Sequence, residues 1–145
     1  MSTSRLATQS FVQHLVVHVR TEEGYAVPVT AELGYDSSDP FAATLAFHIS
    51  PTPVRWTFGR DLLDSGLAQP TGDGDVHVWP ALSDEGRSVV VVELCSPFGD
   101  ALVEMPAADT EAFIDRSHAA VAPGRESVHL DLDATIAAFW SSDTV

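Results

Sequence analysis

The sequence predicts an α+β domain of about seven β-strands, with one short helix between two groups of strands and two more helices toward the C-terminal end. Three observations carry this reading. Apolar and polar residues alternate with period two in six or seven short segments, the signature of strands with one buried face. One segment, Val89 to Val92, is apolar at every position, as expected of a central strand covered on both sides. Three other stretches show helical signals in place of alternation.

Taken in order, the first strand runs from Phe11 to Arg20, with Phe11, Leu15, Val17 and Val19 on one face and His14, His18 and Arg20 on the other. Tyr25, Val27, Val29, Ala31 and Leu33 line a second strand, where Pro28, lacking an N–H, suggests an edge or a bulge. Ala43, Leu45, Phe47 and Ile49 make a third stripe, and Val54, Trp56 and Phe58 a fourth. Arg60 to Ser65 is a short helix with Gly66 as its C-cap. Thr71-Gly72-Asp73-Gly74 reads as a turn before a strand in which Val76 and Val78 alternate with His77 and Trp79. After Val89 to Val92, the residues Ala101, Val103 and Met105 form the seventh strand. Ala107 to Ala120 is a helix with Asp109 and Glu111 early and Arg116 and His118 late, matching the macrodipole. Leu132, Ile136, Phe139 and Trp140 recur at helical spacing on a last helix capped by Asp131 or Asp133. No internal repeat, low-complexity tract or linker divides the 145 residues, so the reading is one domain with residues 1–10 as a flexible N-terminus.

Composition narrows the function classes. Asp and Glu total 21 against 7 basic residues, all of them Arg, for a net charge of −14. Nucleic-acid binding is driven by Lys and Arg displacing counterions from phosphates, so a surface of this sign opposes it. It opposes anionic membranes in the same way. No apolar run reaches the length of a membrane helix, and the polar start lacks the apolar region of a secretory signal. With a single cysteine, Cys95, the chain has no internal disulfide. A cytoplasmic protein is expected.

The search for reactive groups finds no active site. His14 and His18 are four apart, but on a strand four residues span about 13 Å, too far to share one ion. His48, His77, His118 and His129 are scattered, without zinc-site companions. Asp73, Gly74 and Asp75 resemble a fragment of a calcium loop but lack its remaining ligands. Cys95 ends an apolar strand with no neighbouring base, the setting of a buried structural thiol. There is no nucleophile elbow, P-loop or dinucleotide fingerprint. The expectation is a protein without metal, cofactor or catalytic residues.

Three stretches are more specific than a generic β domain requires: Leu33-Gly34-Tyr35-Asp36-Ser37-Ser38-Asp39-Pro40-Phe41, Trp56-Thr57-Phe58-Gly59-Arg60-Asp61-Leu62-Leu63, and Pro70-Thr71-Gly72-Asp73-Gly74-Asp75-Val76-His77-Val78-Trp79-Pro80. In this order and spacing they resemble the SsgA-like proteins, the sporulation and cell-division regulators of filamentous actinomycetes. Ser96-Pro97 with Gly99, Glu104 with Pro106, Pro123-Gly124 and Asp131-Leu132-Asp133 agree, so the resemblance runs from about Phe11 to Phe139. It leaves the paralogue open, leaning to the SsgB type.

The resemblance implies a strongly bent antiparallel sheet system similar to the Whirly family of single-stranded DNA binders, and a homotrimer. It implies a non-enzymatic role in choosing septum sites and remodelling the cell wall. The implied partners are the tubulin-like division GTPase FtsZ and other SsgA-like proteins. It supplies no catalytic residue. Tyr35, Asp36, Asp39, Trp56, Arg60, Asp61, Trp79 and Pro80 are read as turn and core residues, and the partner-binding surface stays open. Two alternatives remain beside this reading: single-stranded nucleic-acid binding by fold analogy, and a cell-wall enzyme using unmarked carboxylates. The pattern itself argues for an oligomer, since Val89 to Val92 needs cover on both faces and Trp79 faces away from Val76 and Val78.

Overall fold

The structure is a computed structural model that describes residues 8–20, 23–49, 54–97 and 99–130. The elements are β1 (Ser10–Arg20), β2 (Ala26–Asp36), β3 (Ala42–Phe47), β4 (Val54–Gly59), α1 (Arg60–Gly66), β5 (Thr71–Asp73), β6 (Val76–Leu82), β7 (Ser88–Ser96), β8 (Gly99–Pro106) and α2 (Ala107–Ala120). Residues 126–130 are helical as well.

All eight strands belong to one strongly curled antiparallel sheet, ordered β4-β3-β2-β1-β8-β7-β6-β5. The order shows a plan the sequence did not: a four-strand meander followed by a helix, carried out twice. The two meanders meet along a short seam. β1 pairs with β2 from Ser10 to Arg20, but with β8 only through His18, Val19 and Arg20. Beyond those three residues β1 diverges from β8, and α2 fills the gap. Gln13 donates from Nε2 to the Asp109 carbonyl at 2.7 Å, and the Phe11 ring meets Phe113 at 5.6 Å. A helix laid along an otherwise open strand edge keeps that edge from pairing with another chain.

The core lies between the inward face of the sheet and the two helices. β1 supplies Leu15 and Val17, β2 Leu33 and Tyr35, and β3 Leu45. Val78, Val90, Val92, Val103 and Met105 come from the second meander. α1 adds Leu62 and Leu63, and α2 adds Phe113 and Ile114. The buried positions of α2 are Thr110, Phe113, Ile114 and Ser117, the spacing of one helical face.

Several expectations need correction. Thr71–Asp73 is a strand, which raises the count to eight; the turn lies at residues 74–75. Thr, Gly and Asp read locally as a turn, and only pairing with β6 makes them a strand. Gly66 is the last residue of α1 and not a C-cap beyond it. Its role is close packing, because a Cβ there would collide with the Val78 side chain. Pro28 lies on an interior strand, but β2 pairs with β3 only from Ala31 to Gly34, so Pro28 sits where that side is open. Gln9 and Ser37 exchange hydrogen bonds of 2.8 Å, so the flexible N-terminus expected over residues 1–10 is tied down at its end. The chain is helical before Asp131, and the stripe from Leu132 to Trp140 lies outside the described residues.

Candidate functional site

The first motif stretch closes β2 with a turn and opens β3. Asp36 accepts from the Ser38 amide at 2.9 Å and from its hydroxyl at 2.7 Å, an Asx turn that fixes the corner. Tyr35 points the other way, into the core, and donates from its hydroxyl to the Pro40 carbonyl at 2.8 Å. Burial is the main cause pushing its phenol up, to about 12, with the nearby Arg60 charge opposing. The hydroxyl therefore stays protonated and remains a donor.

Arg60 opens α1 and is fully buried. Its guanidinium lies 5.2 Å from the Tyr35 ring centroid and donates to the Ser117 carbonyl at 3.0 Å and the Val121 carbonyl at 2.7 Å. These carbonyls belong to the C-terminal end of α2, where the helix dipole is negative and a cation is favoured. The second guanidinium nitrogen meets Glu126 at 2.6 Å. Burial alone would push the Glu126 carboxyl up. Hydrogen bonds from Arg60, its own amide and the Gly124 amide, with the Arg60 charge, outweigh burial and hold it below the usual carboxylate range. A buried guanidinium is tolerable only when so engaged. One side chain from the first meander's helix thus grips the end of the second's.

The structure brings Tyr35 and Arg60 into contact in the core and leaves the other motif residues out of that contact. Asp39 is exposed beside the Asx turn, and Trp56 packs half-buried against the core from β4. Asp61 is exposed in the first turn of α1. Trp79 and Pro80 lie on β6, opposite Val91 and Val90, the tryptophan half-buried and the proline exposed.

Three of these residues border a cleft of about 540 Å³ on the first meander. Tyr35, Asp36 and Asp39 meet Phe11, Val12 and Arg55 there. Next to it, on the outward face, His14 and His48 approach one oxygen of Glu32, at 2.8 and 3.2 Å. His14 faces Glu32 across β1 and β2, while His18 faces Pro28, so the two histidines of β1 have separate surroundings. Spacing within one strand could not show this cluster, because its members come from β1, β2 and the residue just past β3.

The second meander behaves differently. Val89 and Val91, expected to need cover from another subunit, are only 8% and 7% exposed within the single chain. The pattern-based argument for an oligomer loses this support. On the same meander His77, Glu93 and Cys95 converge. Cys95 is half-buried, not fully buried. Burial first, then the negative charges of Asp100, Glu93 and Asp75, push its thiol up. Among the described residues no helix is long and apolar enough to cross a membrane.

Comparison with known proteins agrees along most of the chain. The model of a family described as Streptomyces sporulation and cell division protein, SsgA, matches residues 29–126. The chain is 48% identical over 127 residues to the sporulation-specific cell division protein SsgB of Streptomyces coelicolor, covering 87% of this chain and 90% of that one. It is 43% identical over 129 residues to SsgB of Frankia casuarinae, covering 88% and 90%. A solved SsgA-like sporulation-specific cell division protein from Thermobifida fusca superposes with a TM-score of 0.84 at 35% identity, covering 92% of this chain and 97% of that one. A second structure, described by the words "Mutations in SsgB correlate to longitudinal cell division during sporulation of Streptomyces coelicolor", gives 0.79 at 43% identity and covers 84% and 96%. On this likeness, the chain belongs to the SsgA family of sporulation and cell division proteins.

Proposed function

We propose that the chain is a non-enzymatic regulator of sporulation-specific cell division that acts by binding other proteins. Its likeness to SsgB relatives across nearly nine-tenths of its length is the observation that carries this reading. In the proposal the protein is cytoplasmic, assembles as a homotrimer and gathers at future septa. There it recruits FtsZ together with other SsgA-like proteins, upstream of cell-wall remodelling. The motif residues divide between two jobs: Arg60 and Tyr35 hold the fold, while the cleft edged by Asp36, Asp39, Val12 and Arg55 receives the partner. This cleft is the natural candidate because it combines exposed charge with an apolar floor on the open face of the sheet.

The test is direct binding of purified FtsZ to immobilised protein, followed by biolayer interferometry. A dissociation constant in the micromolar range, roughly −8 kcal/mol, is expected for a regulated division contact. No binding at about 100 µM FtsZ would overturn FtsZ as the partner.

A further inference from the structure

We propose that His77, Glu93 and Cys95 form a binding site for one divalent transition-metal ion, zinc by its chemistry, on the outward face of the second meander. Helix-type spacing was the wrong place to look for it, because register builds the site. His77 lies directly across from Glu93 in the β6–β7 ladder, and Cys95 follows Glu93 by two residues on the same face of β7. One nitrogen, one carboxylate oxygen and the sulfur all fall within 4.8 Å of one another. Zinc bonds of about 2.0–2.3 Å require such atoms to close by only about 1 Å, within the reach of side-chain rotation.

The imidazole is already seated. Gly72 faces His77 across the β5–β6 ladder, and a Cβ there would collide with the ring at Cδ2. The ring can lie against the backbone only because position 72 is glycine. This turns Nδ1 toward Glu93, 3.3 Å from Oε1, where it is buried and makes no hydrogen bond. A metal ion would satisfy this nitrogen and bind the carboxylate together with it.

Electrostatics point the same way. Asp75 and Asp100 stand with Glu93 around the cysteine, and Asp100 is its register partner on β8. Their negative charge attracts a divalent cation, whose own charge must outweigh the burial and the carboxylates that favour the protonated thiol. Binding would then release one proton from the thiol and form a sulfur–metal bond, with Asp100 placed to accept from or orient the ligands. Thiolate with imidazole and a single carboxylate favours zinc over magnesium or calcium, which take oxygen cages. Three protein ligands leave the fourth tetrahedral position for water or a partner's side chain.

Cobalt(II) reports on such a site through its thiolate charge-transfer band. Tag-free protein, reduced and stripped with EDTA, would be titrated with cobalt(II) and then with zinc. Saturation at one metal per chain is expected, with the band present and zinc displacing cobalt. Cys95→Ser should abolish the band, and His77→Gln should weaken zinc binding by at least about tenfold. His77 has a half-exposed side chain, so its variant leaves the core intact. Circular dichroism of both variants would verify the fold. Absence of the band, or zinc binding unchanged in folded Cys95→Ser and His77→Gln, would overturn the site.

Discussion

The half built from β1–β4 and α1 leaves the apolar residues of its outward face more open than the half built from β5–β8 and α2 does. On the first, Val12 and Val16 are each 51% exposed, with the His14–Glu32–His48 cluster beside them. On the second, Val89 and Val91 are shielded within the sheet, and Trp79, opposite Val91, is half-buried. The helices differ as well. α1 has 7 residues and α2 has 14, and the longer one covers the edge that β1 exposes above the seam. One topology, repeated, thus leaves two unlike outward faces, and under the proposed function the first is the one that meets a partner. Beside the β1–β8 seam, the reach of Arg60 from α1 into the end of α2 ties the two halves together.

The largest expected effect breaks that grip. Arg60→Met leaves Glu126 buried without its cation and uncaps two carbonyls of α2, and should cost about 3–5 kcal/mol in urea denaturation. Asp61→Ala, one residue along but exposed, should stay within about 0.5 kcal/mol. Adding Glu126→Leu to Arg60→Met should recover part of the loss, since the buried charge is then gone. Equal effects at 60 and 61 would show that burial at this seam does not govern stability.

Gly66→Ala probes the same seam from the packing side. Its methyl would press on Val78, where α1 lies on β6, at an expected cost of about 1–3 kcal/mol. A neutral result would mean that the short helix can shift away from the second meander.

A smaller effect should come with pH. The carboxyl of Glu126 is held below its unfolded value, so its contribution is present above that value, near 4.3, and fades as pH falls through the folded value. Thermal melts should show stability dropping below about pH 4.3, with a shallower slope in Glu126→Gln. A slope unchanged in the variant would assign the acid loss to other carboxylates.

The comparison also shows what a linear sequence can reveal. The boundaries of α2 were legible from the charges at its two ends, and the alternating strands from their local periodicity; Val89 to Val92, apolar at every position, showed a strand but not which face turns inward. β5 was not legible, since Thr71, Gly72 and Asp73 have turn composition and become a strand only through β6. The seat of Arg60 was hidden because Ser117, Val121 and Glu126 lie 57 to 66 residues along the chain. The His77–Glu93–Cys95 group was hidden for a related reason: alternation assigns a face but not a register. Even the repeated plan left no trace in the sequence, because two meanders need the same order of strands and not the same residues. The motif stretches were recognisable, yet the two residues that meet in the core, Tyr35 and Arg60, looked no different from those that line the cleft or stand at the surface.

The most direct test asks which half meets the partner. Affinity for FtsZ would be measured for Val12→Glu, at the cleft on the first half, and for Leu82→Glu, an equally drastic change at a 70% exposed position on the second. Weakening by about tenfold or more, roughly 1.4 kcal/mol, is expected for Val12→Glu, with Leu82→Glu close to the unmodified protein. The reverse pattern would contradict the assignment of the first half as the interaction surface.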